Sequence, residues 1–333
     1  MNIRQQFPGV HWIWNGGISF VYEVQPRIVV KVPQSGDYEK EQFRKELKIY
    51  ELLSQHPPCP SIVQCFLYMD NGIFLEYMRD ANLSSKIQDN HTRDMETNVV
   101  TKVKKLEPLS LRKEWMNDLA QAVAFLESLN LAHGDLRPEN ILLDRNRLKL
   151  SDFDCTDEIG SDFEACMAPY GRVLNEQDEG RRGSSGFLGP RTEQFALGSL
   201  YYLINYGFEV YGDRQLTEDP KVHGCKVVEL LQNMEFPKLD GDPLFDEIIT
   251  KCWHNKYSTI AELASYTKTL LERHNSGDAE AEHIPTLQWS AEDFSSKKAF
   301  CQSLGKGGLL DLLSSGDPEQ LGFKIEWYRH STT

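Results

Sequence analysis

The sequence predicts an α+β fold with two lobes, a small antiparallel sheet with one main helix followed by a mostly helical lobe. Residues 10–33 are rich in aromatic and β-branched residues and are broken by short turn-forming stretches, which is typical of consecutive strands. A single segment with helical spacing follows, and beyond Met78 most apolar residues recur at helical intervals. A chain of 333 residues is long enough for one large domain or two lobes.

The first lobe is predicted from apolar runs that lie between turn-forming residues. Five such runs are expected to be strands, at residues 11–14, 18–24, 27–33, 62–68 and 73–77. The last two are joined by an Asp-Asn-Gly sequence, which favours a tight hairpin turn. Residues 39–53 predict the main helix, because Phe43, Leu47 and Tyr50 share one helical face and a proline-rich stretch follows.

The second lobe is predicted from amphipathic and apolar stretches. The polar segment 84–108 predicts a loop or insertion. Long helices are expected at 111–126, at 195–204 as a buried helix, and from a capping box at 259–262 to about residue 273. Short strands are expected at 141–143 and 148–150. Residues 276–282 resemble a linker, and the tail up to residue 333 carries apolar clusters.

Composition excludes several classes of protein. The chain has 36 Lys and Arg against 50 Asp and Glu, a net charge of −14, so nucleic acid or an anionic membrane is not an expected partner. The seven cysteines are scattered without a C-x-x-C pair, which predicts neither a disulfide framework nor a zinc site. The sequence shows no signal peptide and no run long enough to span a bilayer. We therefore expect an intracellular, cytoplasmic protein, with the nucleus as an alternative.

The residues that carry chemistry lie in the sequence HGDLRPENILL at 133–143 and in the Asp-Phe-Asp sequence that begins at Asp152. Phosphoryl transfer requires a group that orients the acceptor hydroxyl and oxygen ligands that hold Mg²⁺ against phosphate. Asp135 is the candidate for the first task. Asn140 and Asp152 are candidates for the second, because amide and carboxylate oxygens are ligands that Mg²⁺ prefers.

These motifs resemble those of the eukaryotic protein kinase family over about residues 10–275. HGDLRPENILL resembles the kinase catalytic loop HRDLKPEN, and the Asp-Phe-Asp sequence stands at the position of the DFG motif. The resemblance implies a two-lobed protein kinase-like fold that uses ATP and Mg²⁺. It implies catalytic roles for Lys31, Asp135, Arg137 and Asn140, with Asn140 and Asp152 as metal ligands.

The resemblance also assigns a nucleotide site. Val29-Val-Lys31 resembles the third-strand VAIK, so Lys31 would bind the α- and β-phosphates and pair with Glu46. Leu75-Glu-Tyr-Met78 resembles the hinge that bonds adenine. The implied nucleotide-binding residues are Gly16, Gly17, Val21, Val29, Lys31, Glu46, Glu76, Met78 and Leu142.

The chain departs from the family pattern at several functional positions. Only the middle glycine of the glycine-rich loop is kept, as Gly16, so nucleotide affinity is expected to be modest. Asp154 replaces the DFG glycine, which predicts a segment fixed in one arrangement. Glu193 stands in the place of the anchoring aspartate at the start of the family's central helix.

Another departure concerns regulation. Gly134 replaces the arginine that in many kinases binds an activation-loop phosphate. The sequence Arg181-Arg-Gly-Ser184-Ser185 resembles a basophilic phosphorylation site. Without the usual arginine, we expect a solvated basic turn there, and substitution of either serine is expected to leave activity nearly unchanged.

The sequence therefore predicts an ATP- and Mg-dependent kinase for Ser/Thr hydroxyls of a protein substrate. Its predicted parts are an N-lobe at 10–78, a C-lobe at 79–275 and a tail at 276–333 that packs on the C-lobe, with docking of a partner as the tail's alternative role. Rival functions are a pseudokinase scaffold that binds nucleotide weakly and a small-molecule kinase similar to aminoglycoside phosphotransferases. The small atypical kinase of the KEOPS tRNA-modification complex also has HGD, but it is basic and shorter.

Overall fold

The structure is a computed structural model that describes residues 3–80, 82–164, 167–272 and 290–326. The described chain divides into two compact units. The first contains residues 3–80, 151–155 and 290–326, and the second contains residues 82–150 and 156–272. The predicted linker at 276–282 and the end of the tail beyond 326 lie outside the described residues.

The first unit is built on a five-stranded antiparallel sheet, as the sequence predicts. A short helix α1 (Ile3–Gln6) precedes it. The strands are β1 (His11–Asn15), β2 (Ser19–Gln25), β3 (Ile28–Pro33), β4 (Cys65–Met69) and β5 (Gly72–Glu76). They are ordered β1-β2-β3-β5-β4, and the main helix α2 (Asp37–Leu53) connects β3 to β4.

Strand β3 presents different chemistry on its two faces because successive side chains of a strand point to opposite sides. Ile28, Val30 and Val32 belong to one apolar cluster. Lys31 lies on the other face, in register with Val21 of β2 and Ile73 of β5. This alternation brings a lysine and an apolar cluster to opposite sides of the same strand.

The second unit is mostly helical, again as predicted. Its helices are α3 (Leu83–Gln88), α4 (Leu109–Ser128), α5 (Pro190–Tyr206), α6 (His223–Gln232), α7 (Pro243–Trp253) and α8 (Ile260–Glu272). Its strands pair as β6 (His91–Arg93) with β7 (Val100–Val103), β9 (Ile141–Asp144) with β10 (Arg147–Leu150), and β8 (Leu131–Ala132) with β11 (Asp157–Glu158). Helix α5 is buried from Thr192 to Ile204, as its apolar sequence indicates. No described helix has both the length and the apolar character needed to cross a membrane.

The prediction of a loop at 84–108 is wrong. This segment contains most of α3 and the β6–β7 hairpin. The carboxylate of Asp94 accepts hydrogen bonds from the backbone amides of Glu96 and Thr97 and closes the hairpin turn. The hairpin is anchored because the amide of Val100 donates to the carbonyl of Gly212. The polar composition of this segment gave no apolar pattern that would predict the β6–β7 hairpin, which side-chain and main-chain hydrogen bonds stabilise.

The expectation that the tail packs on the helical lobe is also wrong for the described residues. Helices α9 (Ala291–Lys306) and α10 (Leu309–Leu313) belong to the first unit. The sheet face opposite Lys31 is apolar, and the tail covers it. Phe323 meets the ring of Tyr22 edge to face at 5.3 Å between centroids. The shared cluster includes Trp12, Phe20, Tyr22, Val30, Phe66, Phe74, Cys301, Leu309, Leu310, Leu313 and Phe323. Docking of a partner by the tail stays a prediction.

Candidate active site

Lys31 is the centre of a buried charge cluster in the first unit. Its Nζ lies 2.6 Å from Oε2 of Glu46 on α2 and 2.5 Å from Oδ1 of Asp152. Glu46 is fully buried, whereas about a third of the Asp152 side chain is exposed. The expected pairing of Lys31 with Glu46 is therefore present, and Asp152 shares the same ammonium.

The electrostatics of this cluster keep the lysine charged. Burial alone would lower the pKa of Lys31, but the neighbouring carboxylates of Asp152, Glu46 and Asp154 together raise it above its usual value. Burial raises the pKa of Glu46 to about 7, because desolvation outweighs the attraction of Lys31. The cluster thus contains a charged lysine and a buried carboxylate whose pKa desolvation raises.

The segment after Asp152 is locked to α2 by aromatic packing. Asp152 adopts a φ of 67°, in the left-handed region that few residues other than glycine occupy. Phe153 is fully buried, and its ring meets that of Tyr50 edge to face at 5.4 Å between centroids. Tyr50 lies one helical turn beyond Glu46, so the same face of α2 contacts both Lys31 and Phe153. The sequence places Tyr50 only on the apolar face of the predicted helix, although its four-residue spacing from Glu46 is a signal for this role.

The second unit holds the predicted catalytic loop in an ordered network. The Asn140 amide nitrogen donates to the carbonyl oxygen of Asp135 at 2.9 Å and to its Oδ2 at 2.8 Å. The Arg137 Nε lies 3.1 Å from the same Oδ2, and about half of the Arg137 side chain is exposed. The backbone amide of Asp135 donates to His133 Nδ1. The Asp135 carboxylate is therefore oriented by an amide and a guanidinium.

Glu193 anchors this loop from helix α5. Its buried carboxylate accepts hydrogen bonds from the backbone amides of His133 at 2.8 Å and Gly134 at 3.3 Å. Burial raises the pKa of Glu193 to about 7, although both amide hydrogen bonds act in the opposite direction. Gly134 has a φ of 77°, a conformation that glycine adopts without strain. The loop is thus fixed by a buried side chain of α5.

The predicted glycine loop and hinge belong to the first unit. The amide of Gly16 donates to the Ser19 carbonyl at 2.9 Å and closes the β1–β2 turn. A Cβ at Gly16 would lie 3.1 Å from that carbonyl oxygen, whereas Gly17 faces open space. The amide of Glu76 donates to the carbonyl of Gln64, and the Met78 side chain is buried.

The other predicted nucleotide residues take ordinary strand positions. Val29 is buried and Val21 is half-buried, both in the sheet of the first unit. Leu142 belongs to β9 of the second unit and forms an isolated antiparallel bridge with Asn82. The predicted nucleotide and catalytic residues are thus distributed over both units.

Comparison with known families decides the identity of the fold. The family described as "Protein kinase domain" matches residues 24–272, which is most of the chain. The chain belongs to the protein kinase family. The match begins after Gly16 and Gly17 and ends before the tail, so the unusual glycine loop and α9–α10 lie outside the matched part of this kinase.

Several curated kinases are similar to this kinase chain at low identity. CBL-interacting protein kinase 10 of Oryza sativa subsp. japonica is 25% identical over 190 residues, covering 53% of the chain and 36% of the relative. The probable serine/threonine-protein kinase gdt2 of Dictyostelium discoideum is 26% identical over 262 residues, covering 74% of the chain and 14% of the relative. The serine/threonine-protein kinase ULK3 of Homo sapiens is 28% identical over 189 residues, covering 51% of the chain and 34% of the relative. The matches therefore span about a third or less of these relatives.

The metal that a kinase domain implies is compatible with the donors present. Asp152 supplies a partly exposed carboxylate and Asn140 supplies an amide oxygen, both of the hard type that Mg²⁺ prefers. Within the described residues, three or more His, Cys, Asp or Glu side chains do not gather in a ready metal cluster.

Proposed function

We propose that this kinase domain transfers the γ-phosphoryl group of Mg·ATP to serine or threonine hydroxyls of a protein. The observation that carries the proposal is the buried Lys31 ammonium between Glu46 and Asp152. Burial of this cation with two carboxylates carries a large desolvation cost. A lysine held in this way can bind phosphate oxygens, which is a functional reason for its burial. The relatives include serine/threonine-protein kinases, which supports serine or threonine as the acceptor.

The proposed role of Lys31 follows from its two partners. Glu46 is buried beneath the ammonium and holds it in place, whereas Asp152 is partly exposed. Incoming phosphate oxygens would replace part of the contact with Asp152. That carboxylate would then be available, together with Asn140, to hold Mg²⁺, which offsets negative charge on the phosphates when it is bound.

The proposed role of Asp135 follows from its hydrogen bonds. Asn140 and Arg137 both contact Oδ2, which fixes the carboxylate orientation. The carboxylate would accept a hydrogen bond from the acceptor hydroxyl and take its proton as the hydroxyl oxygen bonds to the γ-phosphorus. The bond from that phosphorus to the bridging oxygen breaks at the same time, and ADP leaves. Arg137, with half of its side chain exposed, would place positive charge beside the transferred group.

Transfer of labelled γ-phosphate tests the proposal. The full chain is incubated with Mg·ATP and a generic basic protein, and the Asp135→Asn variant is run beside it. The matched control is Asp89→Asn, which makes the same change at an exposed position at the end of α3. We expect label with the wild type and with Asp89→Asn, and a loss of at least about a hundredfold with Asp135→Asn.

Two outcomes would contradict the proposal. Equal labelling by Asp135→Asn would remove Asp135 from its assigned role. No labelling by the wild type, with nucleotide binding still measurable by calorimetry, would favour a scaffold or a small-molecule acceptor instead.

A further inference from the structure

Trp14, near the end of β1, is a large aromatic side chain that the proposed phosphate site leaves without a role. Its side chain is 56% exposed, whereas that of Trp12, two residues earlier on the same strand, is only 4% exposed. Residues i and i+2 of a regular strand point to the same face, so the two rings would share one environment on an undistorted strand. Their different exposure indicates a local change in the strand.

A β-bulge between Trp12 and Trp14 directs the two rings to opposite faces of the sheet. Trp12 pairs with Tyr22, and both belong to the apolar cluster that the tail covers. Beyond the bulge, Trp14 pairs with Val21, which is itself in register with Lys31 of β3. Directly opposed residues of an antiparallel pair lie on the same face. Trp14 therefore lies on the face that carries Lys31.

The register also gives the separation between the indole-bearing residue and the catalytic lysine. Trp14, Val21 and Lys31 form one row across β1, β2 and β3. Neighbouring strands lie about 4.8 Å apart, so the backbones at the two ends of this row are about 10 Å apart. One end of the row thus suits the phosphates of a nucleotide, and the other end is within reach of its sugar and base.

The turn that follows Trp14 is held by hydrogen bonds. The Trp12 indole N–H donates to the Trp14 carbonyl at 2.8 Å. Gln34 donates from Nε2 to the Gly16 carbonyl at 2.8 Å and from its backbone amide to the Ile18 carbonyl at 2.9 Å. A Cβ at Gly16 would lie 3.9 Å from Cδ1 of Trp14, so the indole lies beside this turn. The backbone that carries the indole is therefore held in place without a ligand.

The chemistry at this end of the row fits a nucleoside better than a phosphate. The Gly16 amide already donates to the Ser19 carbonyl at 2.9 Å, and a backbone amide has only one hydrogen to donate. The face of an aromatic ring carries partial negative charge, which disfavours a phosphate and favours C–H groups and other rings. The sugar and base of a nucleotide supply both of these favoured groups.

We propose that Trp14 packs against the nucleoside of bound ATP and contributes to nucleotide affinity. The proposal rests on the nucleotide binding proposed above, with the phosphates at Lys31. In the glycine-rich loop pattern a glycine stands at the position of Trp14, and glycine has no side chain that could make this contact. The indole thus adds a contact to a site in which only the middle glycine of the loop is kept.

Calorimetric titration of the full chain with Mg·ATP and with inorganic tripolyphosphate tests the proposal. Tripolyphosphate carries the phosphates without a nucleoside. Trp14→Ala should weaken ATP binding by at least about fivefold, because it removes an aromatic contact with the nucleoside, and should leave tripolyphosphate binding unchanged. Trp14→Phe should retain most of the ATP affinity. The matched control is Tyr38→Ala, which removes a 66% exposed ring from the first turn of α2 and should change neither affinity.

Quenching of tryptophan fluorescence by acrylamide supplies a second readout. The emission of Trp14 is obtained as the difference between the wild type and Trp14→Phe. We expect ATP to protect this emission from acrylamide and tripolyphosphate to give no protection, because only ATP carries a group that covers the indole. The measurement does not use Trp14→Ala, so it stands even if that variant does not fold.

The outcomes separate a failure of this inference from a failure of the proposed function. Equal ATP affinity of the wild type and Trp14→Ala, or unprotected Trp14 emission with ATP bound, would overturn the role of Trp14 and leave the proposed function in place. An equal loss of affinity for ATP and tripolyphosphate would also overturn it, since the effect would then not depend on the nucleoside. Absence of ATP binding by the wild type would overturn the proposed function, and the role of Trp14 with it.

Discussion

Lys31 shows how a single residue depends on both faces of its strand. Its ammonium is buried and contacts two carboxylates, and the residues on either side of it in sequence, Val30 and Val32, lie in the apolar cluster. The alternation of a strand dictates this arrangement once the register is set. The chemistry of Lys31 therefore depends on packing that occurs on the opposite side of the sheet.

Removal of this cation is expected to abolish most phosphotransfer. Lys31→Ala leaves the buried Glu46 without its cation and removes the proposed phosphate contact, and Asp152→Asn removes the proposed metal ligand. Each should lower the rate of ATP-dependent transfer by at least about a hundredfold. The matched control is Lys45→Ala, an exposed lysine next to Glu46 on α2. Near-normal transfer by either active-site variant would contradict the assignment.

The raised pKa of Glu193 predicts how the free energy of unfolding depends on pH. Its folded pKa of about 7 lies above the ordinary value of 4.5, so the folded state holds the proton more tightly than the unfolded state. The stability contributed by this group is full below about pH 4.5 and is lost as pH rises toward 7. The free energy of unfolding of the wild type minus that of Glu193→Gln should fall over this range, by at most about 3 kcal/mol.

Urea denaturation of both proteins between pH 4.5 and 7.5 measures this difference. Glu46, whose pKa is also raised, is present in both proteins and cancels in the comparison. A constant offset between the two curves would show only that the glutamine makes poorer hydrogen bonds. A difference that stays constant or grows with pH would contradict a raised pKa for Glu193.

The sequence predicts which residues of the site are charged, but not how they share partners. The order of Lys31, Glu46, Asp135, Asn140 and Asp152 along the chain was sufficient for the resemblance to kinases. It could not show that Asp152 and Glu46 share one ammonium. The two residues lie far apart in sequence, and local patterns do not predict contacts between distant residues.

At the scale of elements, the tail covers the apolar face of the sheet. Asn71 of the β4–β5 turn donates to the carboxylate of Asp311, and the Glu326 amide donates to the carbonyl of Trp12. The tail therefore contacts both edges of the sheet, at β1 and at the β4–β5 hairpin. Its apolar clusters were visible in the sequence, but spacing alone does not state which lobe an amphipathic segment covers, and for this reason the predicted packing was wrong.

One close contact between the tail and the sheet can be tested directly. A Cβ added at Gly72 would lie 2.4 Å from Cδ2 of Leu310. Leu310→Ala is expected to cost about 2–5 kcal/mol of unfolding free energy by opening a cavity. Gly72→Ala should cost about 1–3 kcal/mol by overpacking the same space. In the double variant the shortened side chain makes room for the new methyl group, so the summed cost should shrink by at least about 0.5 kcal/mol.

Chemical denaturation of the four proteins gives this coupling energy. Gly17→Ala is the matched glycine control, because nothing lies within 4 Å of its added Cβ and its φ lies outside the left-handed region that favours glycine. It should lack any coupling to Leu310→Ala. Strict additivity between Gly72→Ala and Leu310→Ala would show that the two residues are not in contact.

At the scale of the whole molecule, residues distant in sequence build the first unit. The sheet uses residues 11–76, its outer cover comes from 290–326, and the Asp152 segment comes from the middle of the chain. Local sequence patterns predict strands and helices well because periodicity is a local signal. The assignment of the tail to the sheet depends on long-range packing, which local periodicity does not encode. The matched family residues end before the tail, so the resemblance gave no guidance there either.

Weaker packing of the tail (residues 290–326) on the sheet should speed amide hydrogen exchange in the sheet and leave exchange in the second unit unchanged. Leu310→Ala combined with Phe323→Ala removes two buried side chains from the outer cluster, including the ring that packs on Tyr22. Amide hydrogen exchange followed by mass spectrometry should accelerate in β1–β3, by about tenfold for each 1.4 kcal/mol lost. Exchange in α5 should stay as in the wild type, and Gln302→Ala, an exposed position on α9, should change neither. Equal acceleration in β1–β3 and α5 would show instead that the two units unfold as one.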